Sequence, residues 1–133
     1  MHRRKNILVD MSASLIHHGH IRILKKASKY GKVIVALTSD KELFKSKNIV
    51  PEIKFQFRAE ILKSIKYVEK VIPSKFIIND YFLTANKIDI VISGSDYSKR
   101  KFKIKSISFN RTKNISSSLI RKLAAKNHEK NKK

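Results

Sequence analysis

Short apolar runs that alternate with stretches of helical spacing constrain the fold of this chain more than any other feature. Residues 6–9 contain Ile7, Leu8 and Val9 without a polar break, the pattern of a strand buried on both faces of a parallel sheet. Residues 32–38, with Val33, Ile34, Val35, Ala36 and Leu37, repeat it. Between the two runs, Ile23, Leu24, Ala27 and Tyr30 follow helical spacing from His20, and Gly31 stands where a left-handed cap is expected. Ser39 and Asp40 suit the start of a short helix through Phe44, and the polar residues 45–51 predict a mobile loop. Phe55, Arg58, Ile61, Leu62 and Ile65 mark a further helix, and residues 68–72 a brief strand stopped by Pro73. A weaker helical pattern over 81–86 precedes strands at 88–92 and 106–109, and Leu119, Ile120, Leu123 and Ala124 form a last amphipathic helix. Such alternation predicts an α/β fold, a parallel sheet of about five strands joined by right-handed helical crossovers. Ligands of such sheets gather beyond the carboxyl ends of the strands.

At 133 residues, 41% of them hydrophobic, the chain suits one domain with one core. We expect that domain over residues 1–125 and a basic, solvated tail over 126–133. No run approaches the roughly 18 apolar residues of a membrane span. Met1, His2, Arg3, Arg4 and Lys5 lead into a strand pattern rather than a signal-peptide core, so a cytoplasmic location is expected. Cysteine is absent from the sequence, which excludes disulfides. The formal charge of +21 permits nucleic acid as a partner, yet lysines are spread along the chain and aromatics are only 8%, too few for a regular stacking platform. The same field attracts nucleoside triphosphates and phosphate esters.

The segment most informative about function is His17-His18-Gly19-His20, at the passage from the first strand to the first helix. A helix N-terminus offers unpaired N–H groups and a partial positive charge, so imidazoles at that turn face a place suited to an anion. Asp10 is the nearby carboxylate and no thiolate is available, so the turn makes a poor metal site. Gly19 opens the helix, and Gly94 follows a buried strand, where the backbone must turn or approach a ligand closely.

Three further segments join the histidine turn: Arg58 with the run from Lys66 to Ile72, then Gly94-Ser95-Asp96-Tyr97, then Arg111-Thr112-Lys113-Asn114-Ile115-Ser116-Ser117-Ser118. In order and spacing the four segments resemble the small cytidylyltransferases typified by glycerol-3-phosphate cytidylyltransferase, with their HxGH turn, RYVDEVI-like segment, GDDW-like turn and RTxGISTT-like segment. The resemblance spans about residues 6–124. It implies a Rossmann-like nucleotidyltransferase in which a substrate phosphate attacks the α-phosphorus of CTP and releases pyrophosphate. On that resemblance His17 and His20 would hold the α-phosphate region and Arg111 the triphosphate. Thr112, Ser116, Ser117 and Ser118 would supply hydroxyls and a helix N-terminus. Ser12, Ala13 and Gly19 would line the nucleotide loop, Arg58 and Asp96 would recognise the nucleotide, and Lys45 or Lys47 would close over the phosphates. Mg2+ is expected with the triphosphate, its protein ligands unassigned. A homodimer is also implied.

The chain departs from the pattern at three places. Met11 stands where the family has glycine, Ser14 where it has aspartate, and Lys66 where it has arginine. The site thereby loses a carboxylate and a bidentate fork. CTP as donor and a small phosphorylated alcohol such as glycerol 3-phosphate as acceptor form the leading expectation. An adenylyltransferase of the same fold, and a polyanion-binding relative of reduced activity, are the alternatives.

Overall fold

A computed structural model of the chain describes residues 3–94 and 100–132. Among these residues, five parallel strands form one sheet: β1 (Asn6–Met11), β2 (Lys32–Thr38), β3 (Val68–Ser74), β4 (Ile90–Gly94) and β5 (Lys105–Phe109), in the order β3-β2-β1-β4-β5. The helices are α1 (His18–Ser28), α2 (Asp40–Lys47), α3 (Phe55–Lys63), α4 (Asp80–Ala85) and α5 (Ser117–Asn131). This is the Rossmann-like arrangement.

Strand alternation sorts the core into two layers. Ile7 and Val9, Val33, Val35 and Leu37, and Ile90 and Ile92 face Leu24 and Ala27 of α1 and Leu62 of α3. Leu8, Ile34, Ala36 and Val91 face the other way, against Ile78, Leu83 and Ile88. Both faces of β1 are thus dry, which is why its sequence reads as an unbroken apolar run. The chain leaves β1 toward β2 on one side and pairs it with β4 on the other. A crevice opens at that change of direction, beyond the carboxyl ends of β1 and β4.

Several local expectations need correction. The brief strand does not stop at Pro73: β3 continues to Ser74, with Pro73 opposite Leu37. β3 lies at the edge of the sheet, where a missing N–H need not cost a ladder bond. Residues 45–47 are not loop, because α2 runs through Lys47 and ends at Asn48 in a left-handed cap (φ 54°). Helix α3 ends at Lys63, before Ile65, and β4 begins at Ile90, two residues after Ile88. Gly31 is not a left-handed cap. Helix α1 closes at Lys29 in a right-handed conformation, and Gly31 has φ 159°. A Cβ at Gly31 would lie 2.2 Å from the Lys5 carbonyl oxygen, so a close backbone approach requires the glycine. At the far end, α5 extends through residues 126–131, all of them exposed. No helix among the described residues is long and apolar enough to cross a membrane.

Candidate active site

The crevice, about 380 Å3 in volume, is walled by the end of β1, the turn after it, α1, α2 and the 109–118 segment. Its geometry begins with the two histidines. His17 is the N-cap of α1, and its Nδ1 accepts the Gly19 backbone N–H at 3.0 Å. His20 reaches back, its Nδ1 accepting the His17 backbone N–H at 3.1 Å. The pair is a capping box made of imidazoles. A Cβ on Gly19 would come within 2.8 Å of His17 Cε1, so the glycine lets the ring lie against the backbone.

With both Nδ1 atoms accepting, each neutral ring carries its proton on Nε2, where it can donate to an anion. The rings stand 4.0 Å apart between centroids. Burial, then His17 and Arg111, push the His20 pKa down from 6.5 to about 3. His17 is lowered as well, by burial, then by His18 and Arg111. Both rings are therefore neutral donors at pH 7, and a bound anion would oppose the electrostatic part of both shifts.

The turn from residue 12 to residue 17 is fastened by three side chains from two helices, α3 and α5. Ala13 adopts φ 44°, a region costly for a side-chain-bearing residue. Arg58 Nη1 donates to the Ser12 carbonyl at 2.7 Å. Ser117 Oγ donates to the Leu15 carbonyl at 2.7 Å and accepts the Leu15 N–H at 3.1 Å. Arg121 Nη2 donates to Ser14 Oγ at 3.2 Å, while its Nε and Nη2 hold Glu52 at 2.5 and 2.6 Å. Ser14, where the resemblance implies an aspartate, is thus a buried serine whose hydroxyl is bonded to an arginine that has its carboxylate partner in Glu52.

Of the residues singled out in the sequence, Ser12, Ala13, His17, Gly19, His20, Lys47, Arg111, Thr112, Ser116, Ser117 and Ser118 all line the crevice. Arg111 packs its stem toward Gly94, where a Cβ would meet Arg111 Cγ at 3.1 Å. Ser116 caps α5 by accepting the Leu119 N–H at 3.0 Å, so its hydroxyl and that of Ser117 are already bonded within the protein. Lys47 sits on the last turn of α2, not on a loop, with Nζ 5.2 Å from the centroid of the Phe76 ring.

Arg58 is not part of the lining. Its side chain is fully buried, with Nη2 2.6 Å from Asp40 Oδ1 and Nε donating to the Ile53 carbonyl at 2.9 Å. Burial and these committed donors place it within the scaffold that holds the turn. Asp96 lies outside the described residues.

Sequence reasoning passed over Arg22, Lys26, Asn110, Ile49 and Phe76, which also line the crevice. Arg22 and Lys26 fall three and seven residues after Gly19, a helical spacing that could have flagged them. Phe76 carries no local signal; only the parallel pairing of β3 with β2 brings it there. Asp10 lines the crevice too, and Arg100 binds both its oxygens at 2.8 and 3.0 Å.

Comparison with known proteins identifies the family. The sequence description of the cytidylyltransferase-like family matches residues 12–123. The glycerol-3-phosphate cytidylyltransferase of Bacillus subtilis (strain 168) is 29% identical over 94 residues, covering 70% of this chain and 73% of that protein. The FAD synthase of Pyrococcus horikoshii is 31% identical over 116 residues, covering 81% of this chain and 77% of that protein. Among solved structures, the lipopolysaccharide core biosynthesis protein of Thermoplasma volcanium GSS1 superimposes with a TM-score of 0.71 at 18% identity, over 83% of this chain and 99% of that one. The last likeness concerns the fold alone.

Proposed function

The chain belongs to the cytidylyltransferase-like family, and from that membership we propose that it moves a cytidylyl group from CTP to the phosphate of a small phosphorylated alcohol. The observation that carries this reading is the gathering of His17, His20 and Arg111 in one crevice with the N-terminus of α5. An oxygen of the acceptor phosphate forms a bond to the α-phosphorus. The bond from that phosphorus to the bridging oxygen breaks, and pyrophosphate leaves with the electron pair. Two anions must be aligned and the transition-state charge stabilised, and no covalent enzyme intermediate is needed. His17 and His20 donate from Nε2 to the α-phosphate, and Arg111 pairs with the triphosphate oxygens.

Mg2+ is part of the proposal as a companion of the triphosphate. No group of three or more His, Cys, Asp or Glu able to hold a metal occurs among the described residues, and Asp10 is bonded by Arg100. These side chains do not form a protein cage for the ion, and no step here runs through one. The homodimer implied by the family resemblance is likewise proposed, to be read by sedimentation of the purified chain.

A second reading, transfer of an adenylyl group from ATP, is supported by the similarity to an FAD synthase. One assay separates the two. Pyrophosphate release is measured with each of the four nucleoside triphosphates and a panel of phosphate monoesters, beginning with glycerol 3-phosphate. A preference for CTP supports the first reading and a preference for ATP the second. No release with any triphosphate would sink both and leave a polyanion-binding relative, whose retention of nucleic acid falls steeply with salt.

A further inference from the structure

Helix α1 and its C-cap carry Arg22, Lys25, Lys26 and Lys29 at spacings of three, four and seven residues, which gathers all four on the face turned away from the buried Leu24 and Ala27. The helix contains no acidic residue. Among the described residues, the ion pairs formed elsewhere involve none of these four cations. Helix polarity explains part of the row, because Lys25 and Lys26 in the last turn and Lys29 at the C-cap complement the negative end of the dipole. Arg22, the fifth residue of the helix, gains nothing from it, and like charges three and four residues apart repel. The fold thus keeps a stripe of positive charge that its own stability does not call for.

The stripe runs about 10 Å along the helix from Arg22 to Lys29 and continues past it. Lys32, at the start of β2, donates its backbone N–H to the Lys5 carbonyl at 2.8 Å, which sets Lys5, Lys32 and the exposed Arg4 beside the end of α1. At the other end, Arg22 and Lys26 reach the crevice. Two rings stand within the row. The Lys26 ammonium lies 5.2 Å from the centroid of the Phe109 ring, and the Tyr30 ring is 6.3 Å from Phe109, tilted by 50°. Tyr30 is 40% exposed.

A linear polyanion with planar groups matches both features, its phosphates meeting the cations and a base stacking on the phenol ring. A duplex hides its base faces, and an anionic bilayer would engage the lysines and leave the ring without a role. We propose that this face of α1, with Tyr30 and Lys5, is a docking track for single-stranded nucleic acid that leads to the rim of the crevice. The track stands apart from the nucleotidyl-transfer reading, because Lys25, Lys29 and Tyr30 lie outside the crevice lining.

The test follows binding of fluorescently labelled single strands of about 12 nucleotides, RNA and DNA, by anisotropy across a salt series. Lys25→Gln with Lys29→Gln should make the slope of log K against log salt shallower by about 1.4, two phosphate contacts at roughly 0.7 each, and leave pyrophosphate release unchanged. Lys126→Gln with Lys130→Gln, the same charge change on the exposed end of α5, should leave the slope nearly unaltered. Tyr30→Leu, which keeps an apolar side chain against Phe109, should weaken binding about tenfold at constant slope, and Tyr30→Phe should retain it. Equal slope changes in the two lysine pairs would mean diffuse attraction by net charge and overturn the proposal. So would tighter binding of the matching duplex, release of the bound strand by phosphatidylglycerol vesicles at equal phosphate concentration, or unaltered affinity in Tyr30→Leu.

Discussion

Arg58 Nη1 donates to the Ser12 carbonyl at 2.7 Å, joining a fully buried arginine of α3 to the turn that precedes the histidines. The same guanidinium pairs with Asp40, whose carboxylate also accepts the Phe55 N–H at the start of α3. One buried cation thus holds together the turn, the start of α2 and the start of α3. Lysine cannot reproduce this fork. Arg58→Lys is expected to lower stability by about 2–3 kcal/mol, read from urea unfolding, and to raise KM for the triphosphate because the turn is loosened. A variant of unchanged stability would refute the role.

His20 stands at the centre of the proposed anion site, beside His17 and Arg111. His20→Ala should cut kcat by roughly 10²–10³-fold, the usual cost of removing one transition-state donor. Part of the stability loss, about 1 kcal/mol, reflects the missing acceptor for the His17 N–H. Steady-state kinetics beside thermal unfolding separates the two effects.

Acid should weaken the fold before the carboxylates titrate. Unfolded, His20 takes up a proton near pH 6.5, whereas folded it resists protonation to about 3. Stability therefore falls as pH drops below 6.5, by roughly 1.5 kcal/mol down to about pH 5, and levels off below about 3. His17 acts in the same direction. Glu52 and Asp89, whose pKa values are lowered from 4.5 and 3.8, lose their contributions only at lower pH. Urea midpoints at pH 7, 6 and 5 measure the slope, and His20→Gln should flatten it.

Gly19→Ala places a methyl group within 2.8 Å of the His17 ring. The side chain can swing aside, so the fold should survive. Displacing a ring by about 1 Å is enough to cost on the order of 10²-fold in rate. We expect a drop in kcat larger than the drop in melting temperature would explain, and equal activity would argue against His17 at the reacting phosphorus.

The parallel α/β fold was legible in the alternation of apolar runs and helical spacing, because a strand dry on both faces needs an unbroken apolar sequence. The histidine turn was equally legible, since its cap, its glycine and its neighbours lie within a few residues of one another. Pro73 misled because the cost of a proline depends on whether its strand is central or at an edge, and no local pattern reports that. Residues 45–47 misled because their polarity suits an exposed helix as well as a loop.

The sequence by itself determined the order of elements and the histidine turn between β1 and α1, both consequences of spacing along the chain. Only the tertiary structure decided which charges face the crevice and which serve the scaffold. Arg58 and Arg111 read alike as cations in a basic chain. The packing of α3 buries the guanidinium of Arg58 beside Asp40 and the Ser12 carbonyl, while the end of β5 carries Arg111 to the histidines. The difference arises from contacts between residues far apart in the chain, which desolvate one cation and leave the other at the site.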